Sequence, residues 1–226
     1  FFDALSVSAK DPMAEGKASG VAFEENIAKV FRYMGFDANR VGGPGNTDVV
    51  VRWKDDDGKI YMAFGQGKCM MSEIKLTPES AEFVGEMVCL SEMLYRQVSK
   101  SPDVEDKSVY NEAPDLIKIG DKYLFSWAIY DVLDYRYGMR YAWSRNPMGP
   151  YIMPIDFDHD NIMLMGVHGI TGCGHACVTE YNGEYYITYG RHTKDRIGSF
   201  GRDMCCEKIV FQDELHMKAI PSELSR

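Results

Sequence analysis

The chain has 226 residues, is 45% hydrophobic and 26% charged, and carries a net charge of −9. These values give one domain of generous size or two small ones and exclude wholesale disorder. They also disfavour a nucleic-acid partner, whose phosphates call for a basic footprint.

A neutral ligand such as a sugar is not disfavoured. No run of eighteen apolar residues is present, so no membrane span is expected. No cationic start leads into an apolar core, so no leader is read, and cytoplasmic and secreted locations both stay open. Aromatics at 12% and twenty-one glycines suit short strands and tight turns better than a helical bundle.

In chain order, Phe23, Ile27, Val30, Phe31 and Met34 fall on one helical face that ends at Gly35. The segment VVVRWKDDDGKIYMAFG (49–65) then reads as an apolar run, a polar turn and an aromatic strand, with Asp57-Gly58 as the hairpin dipeptide. Cys69 to Leu76 and Gly85 to Leu90 read as two more strands. PDLIKIGDKYLFSWA (114–128) repeats the hairpin pattern with Asp121 at the turn. Tyr137 to Trp143 reads as a strand, stopped by Asn146-Pro147-Met148-Gly149-Pro150. ACVTEYNGEYYITYG (176–190) is the third copy, turning at Asn182-Gly183. Repeated antiparallel meanders of this kind predict an all-β propeller.

The three copies also align three ionisable side chains at the start of their first strands. Asp48 lies ten residues before its turn residue, Glu112 nine and His175 eight. In a propeller the innermost strands begin near the central axis, so equivalent positions converge on one pocket. The six cysteines (69, 89, 173, 177, 205 and 206) lack a framework spacing and read as mostly buried thiols. Gly172-Cys173-Gly174-His175-Ala176-Cys177 lacks the second ligand pair that a structural zinc site needs.

These motifs resemble those of glycoside hydrolase family 43, five-bladed β-propeller glycosidases acting on arabinose- and xylose-containing glycans. The resemblance runs over 45–220 of a single domain spanning 1–226, with 1–44 matching poorly as a remnant of the first blade. Thr47-Asp48-Val49 with its DDDG hairpin is similar to the second-blade segment, and SEIKLTPESAEFVGE (72–86) to the strand, connection and strand after it. Asn111-Glu112-Ala113-Pro114 resembles the general-acid motif, and YAWSRNPMGPY (141–151) the Ser-x-x-Pro-x-Gly-Pro turn. GCGHACVTEYNGEYYITYGRH (172–192) resembles the fourth-blade segment with its axial histidine, and GRDMCCEKIVFQDE (201–214) the closing strand.

The resemblance implies an inverting xylosidase, arabinofuranosidase or arabinanase acting on an oligo- or polysaccharide, with no organic cofactor. Glu112 is then the general acid, its pKa raised by partial burial and a negative neighbour. Asp48 is that neighbour, orienting Glu112 and holding its pKa up. His175 is implied to bind a structural calcium ion (Ca2+) or its waters. Arg202, and less firmly Arg191, are implied to bind the sugar, and Trp127 to offer a stacking face. Val49 stands where the family usually has Pro, and Gly190 where a His is common.

The family's catalytic base, an Asp on the first blade, has no match upstream of Asp48. Asp3, Asp11 and Asp37 are the carboxylates to search. The expectation is therefore an N-terminally incomplete propeller of about four blades, inactive as it stands and prone to self-association. Two other readings accompany this one. A non-catalytic carbohydrate-binding propeller would keep the pocket and lack the base. Glu24, Asp48 and Gln66-Gly67-Lys68 also match the order of a restriction-endonuclease-like nuclease. The repeat explains Asp48 and its hairpin better, and the net acidity opposes a nucleic-acid partner.

Overall fold

Alternating apolar and polar residues between Gly- and Asn-containing turns make this chain a succession of antiparallel strands. The computed structural model describes residues 58–76, 81–98, 106–167, 169–192 and 201–222, with the backbone of short strands at 38–40 and 49–51. The chain divides into two compact units, 1–60 and 61–226. This boundary falls within the stretch read from the sequence as one domain.

In the first unit, β1 (Ala38–Arg40) pairs antiparallel with β2 (Val49–Val51), with Asn39 opposite Val50. Asp48, Glu24, the expected helix over 23–34 and most of the 1–44 remnant lie outside the described residues. Of the hairpin expected over 49–65, residues 52–57 lie outside the described residues. β2 takes β1 as its partner, while β3 (Ile60–Phe64) joins a sheet of order β3-β4-β5.

The second unit continues with β4 (Met70–Leu76) and β5 (Ala81–Cys89), paired antiparallel with Lys75 opposite Glu82. The strand expected to run to Leu90 stops one residue earlier and gives way to α1 (Leu90–Gln97). Leu90, Leu94 and Tyr95 share the buried face of that helix. Ser91 Oγ accepts the Cys69 amide at 3.1 Å, fixing the first turn against β4.

The next sheet is complete: β6 (Glu112–Ile119), β7 (Lys122–Ile129), β8 (Gly138–Ser144) and β9 (Ile162–Met165) form an antiparallel meander in chain order. β7 is apolar along nearly its whole length because it is buried on both faces. Trp127 shows the consequence. Its indole is fully buried, stacks on Phe125 at 5.1 Å and donates Nε1–H to the Val109 carbonyl at 2.6 Å.

A third sheet joins β10 (Cys177–Tyr181), β11 (Glu184–His192) and β12 (Arg202–Lys208). Its first turn places Asn182 and Gly183 at φ +53° and +78°, the left-handed pair that a two-residue hairpin requires. A short ribbon of β13 (Val210–Phe211) and β14 (Met217–Lys218) comes last.

The β6–β9 and β10–β12 sheets share one apolar core, in which Leu124, Tyr137, Tyr141, Val178, Ile187 and Tyr189 meet. Hydrogen bonds also bind neighbouring sheets. The Val178 amide donates to Asp115 Oδ2 at 2.8 Å, and the Ala219 amide to the Met163 carbonyl at 2.8 Å. None of the six cysteines is in a disulfide: Cys69, Cys173 and Cys205 are buried, Cys89 is intermediate, and Cys177 and Cys206 are exposed. Burial pushes the Cys69 and Cys173 thiols up to about 12, so neither is a ready nucleophile. Among the described residues no helix is long and apolar enough to cross a membrane.

Candidate active site

Glu112 opens β6, and the backbone around it is irregular. The β6–β7 register shifts between Glu112 and Asp115, and Ala113 sits in the left-handed region at φ +52°. A bulge of this kind re-aims a side chain at the end of a ladder, and a non-glycine residue there costs about 1–3 kcal/mol. The surrounding fold holds the bulge in place. Asn111 donates its amide to the Ala128 carbonyl at 2.9 Å and accepts the Gly67 amide at 2.7 Å. Tyr110 donates its hydroxyl to the Gly65 carbonyl at 2.6 Å. These bonds carry the loop after β3 to Glu112, where Gln66 Nε2 donates to Glu112 Oε2 at 3.1 Å.

The other carboxylate oxygen faces two further groups. Tyr137 donates its hydroxyl to Oε1 at 2.6 Å, and His175 Nδ1 lies 3.9 Å from the same atom. Arg202 completes the cluster, its guanidinium lying 5.6 Å from the centroid of the Tyr137 ring. Arg202 Nη1 donates to the carbonyls of Gly174 at 3.0 Å and Gly172 at 3.3 Å. This crowding accounts for the glycines of the GCGH segment. A Cβ on Gly174 would lie 2.5 Å from the Tyr137 ring, and Gly172, at φ +77°, lies against the His192 ring. His175 itself takes a left-handed φ of +56°, at the point where the chain turns into β10.

The donors set the electrostatics. Glu112 is held below the ordinary carboxylate range, first by His175, then against the opposing effect of burial by Tyr137, with the charge of Arg202 adding to it. At 3.9 Å the His175 contact is longer than a formed hydrogen bond, so Tyr137 at 2.6 Å is the firmer hold. This direction is opposite to the raised value expected of a general acid. The negative neighbour named for raising it, Asp48, lies outside the described residues. The proton shared with Glu112 pushes Tyr137 up, after burial, so its hydroxyl remains a donor.

The structure thus brings Glu112, His175 and Arg202 together, while Asp48, expected to converge with Glu112 and His175, lies outside the described residues. The sequence marks Tyr137 only as the start of a strand, and Gln66 only within the nuclease alternative. Their roles depend on contacts between distant segments that no local motif marks. Two expected sugar-binding residues are corrected. Trp127 is sealed in the core and offers no stacking face. Arg191 is buried, and its Nη1 donates to the Ser222 carbonyl at 2.5 Å, since alternation along β11 turns it inward. The calcium implied at His175 calls for six to eight oxygen ligands. His175 offers a nitrogen, with Glu112 as its one ion-pair partner among the described residues. Among the described residues these two donors alone do not complete such a set, so an ion at His175 would rely on water for most of its ligands.

An all-β fold of repeated meanders, with a half-buried carboxylate ringed by hydrogen-bond donors at a strand start, defines a propeller carrying a polar cluster. The sequence profile of glycosyl hydrolases family 43 matches residues 21–215, and the chain belongs to that family. It is 24% identical over 207 residues to a beta-xylosidase of Xylanibacter ruminicola, covering 81% of this chain and 61% of that protein. The chain therefore spans about three fifths of the length of that relative.

Solved structures agree on the fold. A thermostable family-43 glycoside hydrolase superposes with a TM-score of 0.57 at 20% identity, covering 74% of this chain and 55% of the other. The Cellvibrio cellulosa alpha-L-arabinanase complexed with arabinohexaose gives 0.54 at 20% identity, with the same coverage of 74% and 55%. An exo-1,5-alpha-L-arabinanase from a bovine ruminal metagenomic library gives 0.57 at 15% identity, covering 82% and 68%. The fold is accordingly of the family's five-bladed β-propeller type, and family membership displaces the nuclease alternative.

Proposed function

We propose that this chain carries the acid side of a glycosidase that cleaves xylose- or arabinose-containing glycans by inversion. The observation that carries the reading is Glu112, half-buried at the start of β6 and held from both oxygens by Tyr137 and Gln66. A carboxyl group so fixed can hand a proton to a glycosidic oxygen while water attacks the opposite face of the sugar. Arg202, held by the Gly172 and Gly174 carbonyls beside Tyr137, supplies positive charge and donors for sugar hydroxyls. Asp48 would supply the negative charge that keeps Glu112 protonated during the reaction. The relatives' names, beta-xylosidase and arabinanases, support the sugar class. Release of reducing sugar from a panel of xylo- and arabino-oligosaccharides tests the proposal.

The lowered pKa of Glu112 favours a second reading, a sugar-binding propeller in which the ionised carboxylate only accepts hydroxyl hydrogen bonds. Calorimetric binding of the same oligosaccharides with no turnover would establish it.

The donors around Glu112 also set a pH expectation. An acid catalyst works protonated, so activity falls as pH rises through its pKa. Removing a donor to the charged form raises that pKa. Tyr137→Phe and His175→Ala are each expected to move the alkaline limb of the kcat/KM profile to higher pH. A limb that stays in place in both variants would detach it from Glu112.

A further inference from the structure

On the loop between β8 and β9, Asp156 Oδ1 accepts the amides of Asp158 at 2.9 Å and His159 at 2.8 Å and lies 2.9 Å from His159 Nδ1. Between β13 and β14, Asp213 Oδ1 accepts the His216 amide at 2.8 Å, and Oδ2 meets His216 Nδ1 at 2.7 Å. The two imidazoles stack at 4.0 Å.

We infer that Asp156, His159 and His216 form a binding site for one divalent cation of the zinc class, with Asp213 orienting His216. Ligand atoms of the three residues all lie within 4.8 Å of one another. His216 is 7% exposed, and its Nε2 is buried without a hydrogen bond of acceptable geometry; the Pro154 carbonyl contributes only a weaker polar interaction. Because a carboxylate accepts the Nδ1 proton, the lone pair of the neutral ring sits on Nε2, as in a carboxylate–histidine–metal triad. That nitrogen looks at Asp156 Oδ2 across 3.5 Å. With the ring neutral these are two acceptors facing each other, an arrangement that a cation between them, or a proton on Nε2, relieves. With metal–ligand bonds of about 2.0–2.2 Å, two ligands at a tetrahedral angle lie about 3.4 Å apart, which matches this gap.

Two imidazoles and one carboxylate suit zinc and its transition-metal neighbours, whereas calcium and magnesium select oxygen. The exposed side of Asp156 leaves the fourth position to water. The ion would staple the 156–159 loop to the β13–β14 ribbon, and it is independent of the chemistry at Glu112.

The test is a calorimetric titration of the whole chain with Zn2+ after alkylation of the exposed Cys177 and Cys206, which would otherwise compete. The expected result is one bound ion and a raised melting temperature. His159→Gln, at a partly exposed position outside the core, should abolish both while leaving the circular dichroism unchanged. Asp213→Asn should weaken binding about 10- to 100-fold. Co2+ substitution provides a second readout, whose spectrum should lack a thiolate charge-transfer band. No uptake by the unaltered chain, uptake equal in His159→Gln, or a thiolate band would each overturn the inference.

Discussion

Replacing Glu112 by Gln is expected to lower turnover of arabino- or xylo-oligosaccharides by about 10²- to 10⁴-fold, the usual share of general-acid catalysis. Gln keeps the length and one acceptor oxygen for Tyr137, and its NH2 replaces the oxygen that Gln66 addresses, which Gln66 can meet by turning its own amide over, so the cluster should stay formed. What it loses is the proton. The loss should shrink on aryl glycosides, because a leaving group stable as an anion needs little protonation. Measuring kcat/KM on both substrate types separates the roles. Equal losses on both would remove Glu112 from the acid role and favour a carboxylate that only binds. A variant that binds oligosaccharide as tightly as the parent but turns it over slowly would place Glu112's effect in the transition state.

The propeller is legible in the sequence because its repeats are written locally. Asn182-Gly183 and the strands on either side of it specify their hairpin without reference to the rest of the chain. Glu112, His175 and Arg202 are legible through motifs at compatible spacing. Other features depend on what the neighbours do. Trp127 looks like a sugar platform in isolation and becomes core only because β7 is covered on both faces. Arg191 and Arg202 both sit at strand ends, and one turns inward to Ser222 while the other lies over Tyr137. Alternation separates them only once the β11–β12 register is known. The helix after β5 escapes the sequence pattern because Leu90, Leu94 and Tyr95 make a short apolar face that periodicity reads poorly over two turns. Tyr137 and Gln66 lie 25 and 46 residues from Glu112, so pairing them requires the fold itself.

Asp115→Asn is expected to stabilise the chain at pH 8 by about 1–3 kcal/mol. Asp115 as a residue is half-buried, but its carboxyl is enclosed between β6 and β10, where it accepts the Val178 amide. Burial raises its pKa from 3.8 to about 6, only partly offset by the amides of Val178 and Leu116. Between those two values the folded chain holds a proton that the unfolded chain has released. Stability from this group therefore rises as pH falls through about 6, is complete below 3.8, and is missing above 6. Above pH 6 the buried charge costs at most about 3 kcal/mol, at about 1.36 kcal/mol per pKa unit. Asn keeps an acceptor for the Val178 amide and carries no charge. Its advantage should therefore be largest at pH 8 and fade by about pH 4. Asp115→Ala leaves that amide unpaired and should be less stable than Asp115→Asn by about 1–3 kcal/mol. Urea unfolding of the three proteins at pH 8, 6 and 4 measures both differences. A gap between parent and Asn variant that stays constant across pH would show that Asp115 is not the titrating group. The bond from β10 would then be an ordinary link between sheets, with no charge held inside it.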